Sequence, residues 1–249
     1  MTLSQLSTPL TKDQAYALVD AVMAREDIAI TASAHENEES GEWVFEATEG
    51  LQPVVAGGFY VHGSHEENPP PPGLTAIRID AAQAFGTGHH ETTTGCLEAI
   101  DRALKRKRFR AMLDVGTGTG VLAIALAKRT RLPVLASDID PIAVTTTVEN
   151  ARDNGVGRYI IAFEATGLDH RQIANGTPFD LIVANILAGP LVSLAPGMRK
   201  VTAVGATVIL SGILNTQANR VISAYSQQGI VLRQRIVKKE WTTLVLERV

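Results

Sequence analysis

Between Lys12 and Arg25 the apolar residues Ala15, Leu18, Val19, Val22 and Met23 recur at i, i+3, i+4, i+7 and i+8. That spacing lines one face of a helix, and Thr11 stands where a cap is wanted. Two short β-like runs follow, Ile28–Thr31 and Trp43–Ala47, separated by the polar turn residues 35–41. Phe59–His62 reads as a further strand, and Pro69–Pro72 must be extended, because four prolines fix φ and offer no backbone donor. That run marks a linker. Beyond it Leu74–Ile79 is β-like and Glu91–Lys105 helical.

From Arg110 the pattern becomes regular. Strands are expected at Arg110–Val115, Pro133–Ser137, Tyr159–Phe163, Leu181–Ala184 and Ala206–Leu210. Helices are expected at Val121–Lys128, Pro141–Asn154, Gly189–Lys200 and Thr216–Gln228. Alternation at these lengths implies a parallel sheet covered on both faces. The last two β-runs, Ile230–Val237 and Trp241–Glu247, are joined by three residues, too few for a helical crossover, so they should form an antiparallel hairpin. No internal repeat or long low-complexity tract is present.

The 249 residues correspond to about 1.7 average domains, one large α/β domain plus a small α+β appendage. The divisions expected are 1–56 for the appendage, 57–80 for a linker with strands, and 81–249 for the main domain. Hydrophobic residues make up 45% and no apolar run reaches the ~20 residues that cross a bilayer, so a soluble, non-membrane protein is expected. A formal charge of −3 argues against a generally phosphate-coated partner such as bulk DNA. Cys96 is the only cysteine, which excludes an internal disulfide and a thiolate metal cluster within one chain. With no secretory pattern from Met1 to Leu10, a cytoplasmic location is the expectation.

Leu113-Asp-Val-Gly-Thr-Gly-Thr-Gly120 falls where the first strand of the αβ series turns into its first helix. Ligands in such sheets bind beyond the carboxyl ends of the strands, where glycines let backbone approach closely. The dinucleotide pattern Gly-x-Gly-x-x-Gly fails, because counting from Gly116 its last position is Val121. The motif is Asp-x-Gly-x-Gly-x-Gly. A carboxylate at Asp114 disfavours a pyrophosphate and suits the ammonium group of an amino-acid-bearing ligand, directly or through water. The second strand ends in Ser137-Asp-Ile-Asp-Pro141, where Asp138, 22 residues after Gly116, is placed to accept hydrogen bonds from two ribose hydroxyls. Asp140 then becomes the N-cap of the following helix with Pro141 at its first position, although the two aspartates could exchange roles.

Together with the alternating rhythm and the terminal hairpin, these residues resemble the class I S-adenosylmethionine-dependent methyltransferases, whose Rossmann-like seven-stranded sheet ends in such a reversed strand. Two segments narrow the resemblance. Ala84-Phe-Gly-Thr-Gly-His-His-Glu-Thr-Thr93 and Val183-Ala-Asn-Ile-Leu-Ala-Gly-Pro190 are similar to signatures of the ribosomal protein L-eleven methyltransferase family, PrmA. Ser211-Gly-Ile-Leu214 and Lys239-Glu-Trp241 also match, and the resemblance covers about Gly57 to Val249. It implies transfer of methyl groups from S-adenosylmethionine to lysine or amino-terminal amines of that ribosomal protein. The cofactor set it implies, with the loop, is Phe85, Gly86, Thr87, Gly88, Thr92, Thr93, Asp114, Gly116, Thr117, Gly118, Asp138, Ile139 and Asn185. The catalytic set is Asn185, Ile186 and Leu187, facing the amine. No metal is expected. The family's amino-terminal substrate-recognition domain is represented here by only about half its usual length.

The chemistry asks little of acids or bases. Methyl transfer is an in-line displacement at a sulfonium carbon, so the enzyme supplies alignment. A lysine must arrive uncharged, which at pH 7.4 needs about three pK units of help, roughly 4 kcal/mol, that desolvation can provide. His62, His65, His89 and His90 could ligate zinc, or His90 could order its loop, with proton acceptance a further role. From Glu26 to Gly50 eight acids and no Lys or Arg give −8, a solvated surface or a docking face for a basic partner. Residues 101–110 carry +5, either offsetting a helix dipole or touching RNA or an acidic partner, with no sequence-specific nucleic-acid binding expected. A methyltransferase for another protein or small-molecule amine, or a non-catalytic S-adenosylmethionine-binding module, are the alternative readings.

Overall fold

The computed structural model describes residues 11–23, 30–36, 43–49, 53–64, 66, 68–79 and 89–249. Helix α1, Lys12–Met23, opens with a reciprocal cap: Gln14 N donates to Thr11 Oγ1 at 3.3 Å and Thr11 N to Gln14 Oε1 at 3.0 Å. Strands β1, Ile30–Glu36, and β2, Trp43–Glu49, pair antiparallel, and α1 lies against both, with Tyr16 5.5 Å from the Trp43 ring. The sequence reading has both strands shorter than they are. The acids of residues 37–42 and 26–29 lie outside the described residues.

Strand β3, Val54–Ala56, was not legible as a strand. It pairs antiparallel with β4, Phe59–His62, which pairs parallel with β5, Thr75–Arg78. A parallel pair needs a crossover of about a dozen residues, and the exposed Pro69–Pro72 run lies within that connection. Side chains supply what β5 lacks in neighbours. Asn154 Oδ1 accepts from Arg78 N at 2.9 Å, Asn154 Nδ2 donates to Arg78 O at 2.7 Å, and Lys128 Nζ donates to Ala76 O at 2.6 Å.

The main sheet has seven strands: β6 (Met112–Val115), β7 (Val134–Asp138), β8 (Ile160–Glu164), β9 (Phe179–Asn185), β10 (Thr202–Leu214), β11 (Ile230–Lys238) and β12 (Trp241–Arg248). Their order across the sheet is β11-β12-β10-β9-β6-β7-β8. β8 to β10 are parallel neighbours through β7, β6 and β9, while β12 is antiparallel to β10 and β11, which gives the expected terminal hairpin. The helices are α2 (His89–Arg106), α3 (Val121–Thr130), α4 (Pro141–Asp153), α5 (Arg171–Gly176), α6 (Ala188–Val201) and α7 (Ala218–Ser226). No helix among the described residues is long and apolar enough to cross a membrane.

The sheet is buried on both faces, and strand residues alternate between two apolar clusters. Met112, Leu181, Val183 and Ile209 pack with α2, α3 and the side chains of Phe59, Val61 and Ile77. Leu113, Ile182, Ala184, Val208 and Leu210 pack with α5, α6 and α7. Period two on a twice-covered sheet is why these strands read as continuous hydrophobic runs. The small sheet β3–β5 therefore contributes side chains to the same core as α2 and α3.

Candidate functional site

Order reverses between β6 and β9: β7 and β8 lie on one side, β9 and β10 on the other. A crevice at the carboxyl ends of the strands is expected there. The residues singled out in the sequence converge on that edge. Val115, the last residue of β6, is in register with Ser137 and Ala184, and Asn185 is in register with Ser211.

The loop between β6 and α3 is held from three sides. Gly116 N and Thr117 N donate to Ser137 O at 2.8 and 3.0 Å. Thr147 and Asn150 of α4 reach its outer carbonyls, Thr147 Oγ1 donating to Gly118 O and Asn150 Nδ2 to Thr119 O, each at 2.9 Å. Neither residue was foreseen in this role. The available signal was two polar positions, three apart, beside Ala151 on the buried side of α4.

Asp114 lies beneath the loop rather than at its surface, with no exposed area. Its Oδ2 accepts from Thr117 Oγ1 at 2.8 Å and from Ala123 N at 3.1 Å, while Oδ1 has no hydrogen-bond partner. Burial pushes its carboxyl up to about 7, partly opposed by the Thr117 and Ala123 hydrogen bonds and reinforced by nearby Asp138. Its fixed role is to brace the loop and the start of α3 from below.

Asp138 ends β7 and is half-buried. Its Oδ2 accepts from Gly118 N at 2.8 Å and its Oδ1 from Asp140 N at 3.1 Å. Asp140 is the N-cap of α4, its Oδ1 accepting from Ile142 N at 2.8 Å with Pro141 at the first helical position. The two aspartates thus divide as the proline suggests, one committed to the helix and one free on its outer lone pairs.

Asn185 closes β9, and its Nδ2 reaches Thr92 Oγ1 at 3.3 Å and Thr93 Oγ1 at 3.4 Å in the first turn of α2. Ile186 presses on the glycine loop: a Cβ on Gly116, whose φ is +70°, would fall 2.3 Å from Ile186 Cγ2. Leu187 is 66% exposed at the N-cap of α6, and Ile139 is 67% exposed beside Asp138. Phe85, Gly86, Thr87 and Gly88 lie outside the described residues, as do His65 and the side chains of His89 and His90. His62 is half-buried, its Nδ1 2.9 Å from Gly63 O and its ring 5.3 Å from that of Tyr60. Among the described residues no group of three His, Cys, Asp or Glu side chains is arranged to hold a metal ion.

These groups fit a ligand with a sugar diol and an amino-acid end. Each Asp138 oxygen accepts one backbone N–H and retains a lone pair for a hydroxyl. A Cβ on Gly118 would meet nothing within 4 Å, so the loop's outer face is open to close approach. The unpartnered Asp114 oxygen leaves one acceptor for a cation or a water beneath that face.

A family model described as ribosomal protein L11 methyltransferase (PrmA) matches residues 6–249. The chain is 46% identical over 230 residues to the ribosomal protein L11 methyltransferase of Brucella suis, covering 92% of this chain and 81% of the relative. It is 50% identical over 207 residues to the ribosomal protein L11 methyltransferase of Rhizobium etli, covering 83% of this chain and 71% of the relative. Among solved structures, ribosomal protein L11 methylase from Lactobacillus delbrueckii subsp. bulgaricus aligns with a TM-score of 0.72 at 31% identity, covering 80% of this chain and 99% of that one.

Proposed function

Because the chain belongs to the ribosomal protein L11 methyltransferase family, we propose that it methylates lysine and amino-terminal amines of ribosomal protein L11, with S-adenosylmethionine as donor. The observation that carries the reading is the join between Asn185 and the Thr92–Thr93 turn, across the strand tips from the glycine loop and Asp138. Donor-side and acceptor-side groups share one edge, as alignment of an in-line displacement requires.

When bound, S-adenosylmethionine supplies the activated methyl group and its own leaving group. Asp138 would take the ribose hydroxyls, Ile139 would cover an apolar ring face, and Gly116, Thr117 and Gly118 would lie against the amino-acid end above Asp114. Thr92 and Thr93 would close over that end. The Asn185 side chain would hold the acceptor nitrogen, with Ile186 and Leu187 walling off water. A carboxamide and two hydroxyls are not bases at neutral pH, so the proton leaves to bulk water before transfer, aided by desolvation of the amine. Residues 81–249 carry the transfer, residues 57–80 join the two parts, and the appendage 1–56, acid-rich from Glu26 to Gly50, docks the basic protein.

Incubating the chain and labelled S-adenosylmethionine with lysate from a methylation-deficient strain tests the reading. One labelled band at ribosomal protein L11, with label recovered on lysine or the amino terminus, is the expected result. Label on another protein only, or donor binding without transfer, overturns it.

A further inference from the structure

β10 does not run evenly past β12. Leu210 pairs with Leu244 and Ile213 with Thr242, so three steps on β10 face two on β12 and the extra residue makes a bulge at Ser211–Gly212. Towards β9 the strand stays in step, with Ser211 beside Asn185. Ser211 is fully buried and Thr243 nearly so. The Ser211 hydroxyl donates to the Thr92 carbonyl at 3.2 Å and lies 2.8 Å from Thr243 Oγ1. A hydroxyl carries one proton, so Thr243 is the donor in that second bond. The chain Thr243 to Ser211 to Thr92 therefore crosses from β12 through β10 into the first turn of α2.

Two close approaches surround this chain. A Cβ on Gly95 would fall 2.2 Å from Thr243 Oγ1, so α2 sits directly on the bulge. At Gly212, φ is +80° and a Cβ would fall 2.4 Å from the Ile186 carbonyl oxygen, a fit only glycine permits. The turn that Ser211 grips by its backbone is the turn whose hydroxyls meet Asn185. The residue after Ser211 seats the loop that follows Asn185.

We propose that the Ser211–Gly212 bulge is a positioning element for methyl transfer: Ser211, backed by Thr243, fixes the first turn of α2 and through Thr92 and Thr93 the side chain of Asn185, while Gly212 seats Ile186. This rests on Asn185 facing the acceptor amine, as proposed above. Its leverage comes from geometry, since misplacing a reacting group by about 1 Å can cost on the order of a hundredfold in rate.

Ser211→Ala and Thr243→Val each delete one hydroxyl at nearly constant volume. With the full chain and ribosomal protein L11, each is expected to lower kcat about 10- to 100-fold while acceptor KM changes less than about threefold. Ser211→Thr, which keeps the hydroxyl, recovers most of the rate, and Asn185→Ala combined with Ser211→Ala is no slower than Asn185→Ala alone. In nitrogen-15 spectra, the Asn185 side-chain amide pair, identified by its loss in Asn185→Ala, moves in Ser211→Ala and Thr243→Val and returns in Ser211→Thr. An unmoved amide pair, or rate losses that multiply in the double variant, overturns the proposal. A wild-type chain that transfers no methyl group overturns the proposed function instead, and the amide resonances still decide this inference.

Discussion

Asp114 carries a pH signature that follows from its place under the glycine loop. Burial raises its carboxyl to about 7, whereas an unfolded chain releases that proton near 3.9. Between those values the folded form binds more protons, so the carboxylate's contribution to stability falls as pH rises from about 4 and is fully lost above about 7. Asp114→Asn removes that titration while its carbonyl can still accept from Thr117 and Ala123. Relative to wild type, the variant should gain on the order of 2–3 kcal/mol between pH 5 and pH 8 in urea melts. A wild-type pH dependence in the variant would remove the argument. Asp138 makes the complementary prediction. Asp138→Ala should weaken donor binding by about 1–3 kcal/mol, read by calorimetry, because two acceptor oxygens are lost. Unchanged affinity would move the sugar contact elsewhere, and not easily to Asp140, whose Oδ1 is committed to Ile142 N. The Asp138 and Asp140 division was legible because Pro141 marks the first helical turn. The direction in which Asp114 points was not, since an acid before a glycine loop can face up or down and only three-dimensional packing chooses.

The β–α rhythm after residue 110 was readable because the central strands β6 and β9 are buried on both faces while helices such as α6 and α7 bury one side, so periodicity changes from element to element. Elements without such contrast were missed. Helix α5 spans only six residues and buries Ile173 alone, too short for any period to show. Strand β10 reads as Ala206–Leu210 but extends to Thr202–Leu214, because the sheet absorbs Gly205 and Gly212 as register shifts instead of ending there. Glycine is ambiguous in a sequence for this reason: it marks an end, a bulge or a close approach, and the neighbour decides. Gly116 shows the third case and can be tested. Gly116→Ala sets a Cβ at positive φ and against Ile186 Cγ2, and should cost roughly 2–3 kcal/mol. Ile186→Ala removes the obstructing methyl, so the double variant should be more stable than the sum of the single losses by about 1 kcal/mol. Strict additivity in denaturant titrations would mean the loop and the Asn185–Ile186 segment do not touch.

Across the whole molecule, the basic residues 102–110 and the terminal hairpin take their meaning from the helices beside them. Lys105 pairs with Asp101 at 2.6 Å, Arg102 with Glu98 at 3.3 Å, and Lys107 Nζ donates to Gly205 O at 2.8 Å. Lys105 and Arg106 close α2, Lys128 and Arg129 close α3, and Arg199 and Lys200 close α6, cations at carboxyl ends where helix dipoles favour them. The hairpin is tied to the same helix from the other side, Lys238 meeting Glu98 at 2.7 Å and Lys239 pairing with Glu91. Helix α2 thus links the small sheet, the hairpin and the strand tips, and its Cys96 lies buried in the cluster that Phe59 and Ile77 share. Burial pushes the Cys96 thiol up to about 12. A neutral, enclosed thiol should not react with an aromatic disulfide reagent until α2 leaves the sheet. Trp241, at the start of β12, reports the hairpin by fluorescence once Trp43 is replaced by Phe. If α2 couples the small sheet to the hairpin, thiol exposure and Trp241 emission should share one urea midpoint in that background. Thiol reactivity appearing at lower urea than the Trp241 change would show that the small sheet and α2 detach as a separate unit, leaving the hairpin to stand on the remaining face alone.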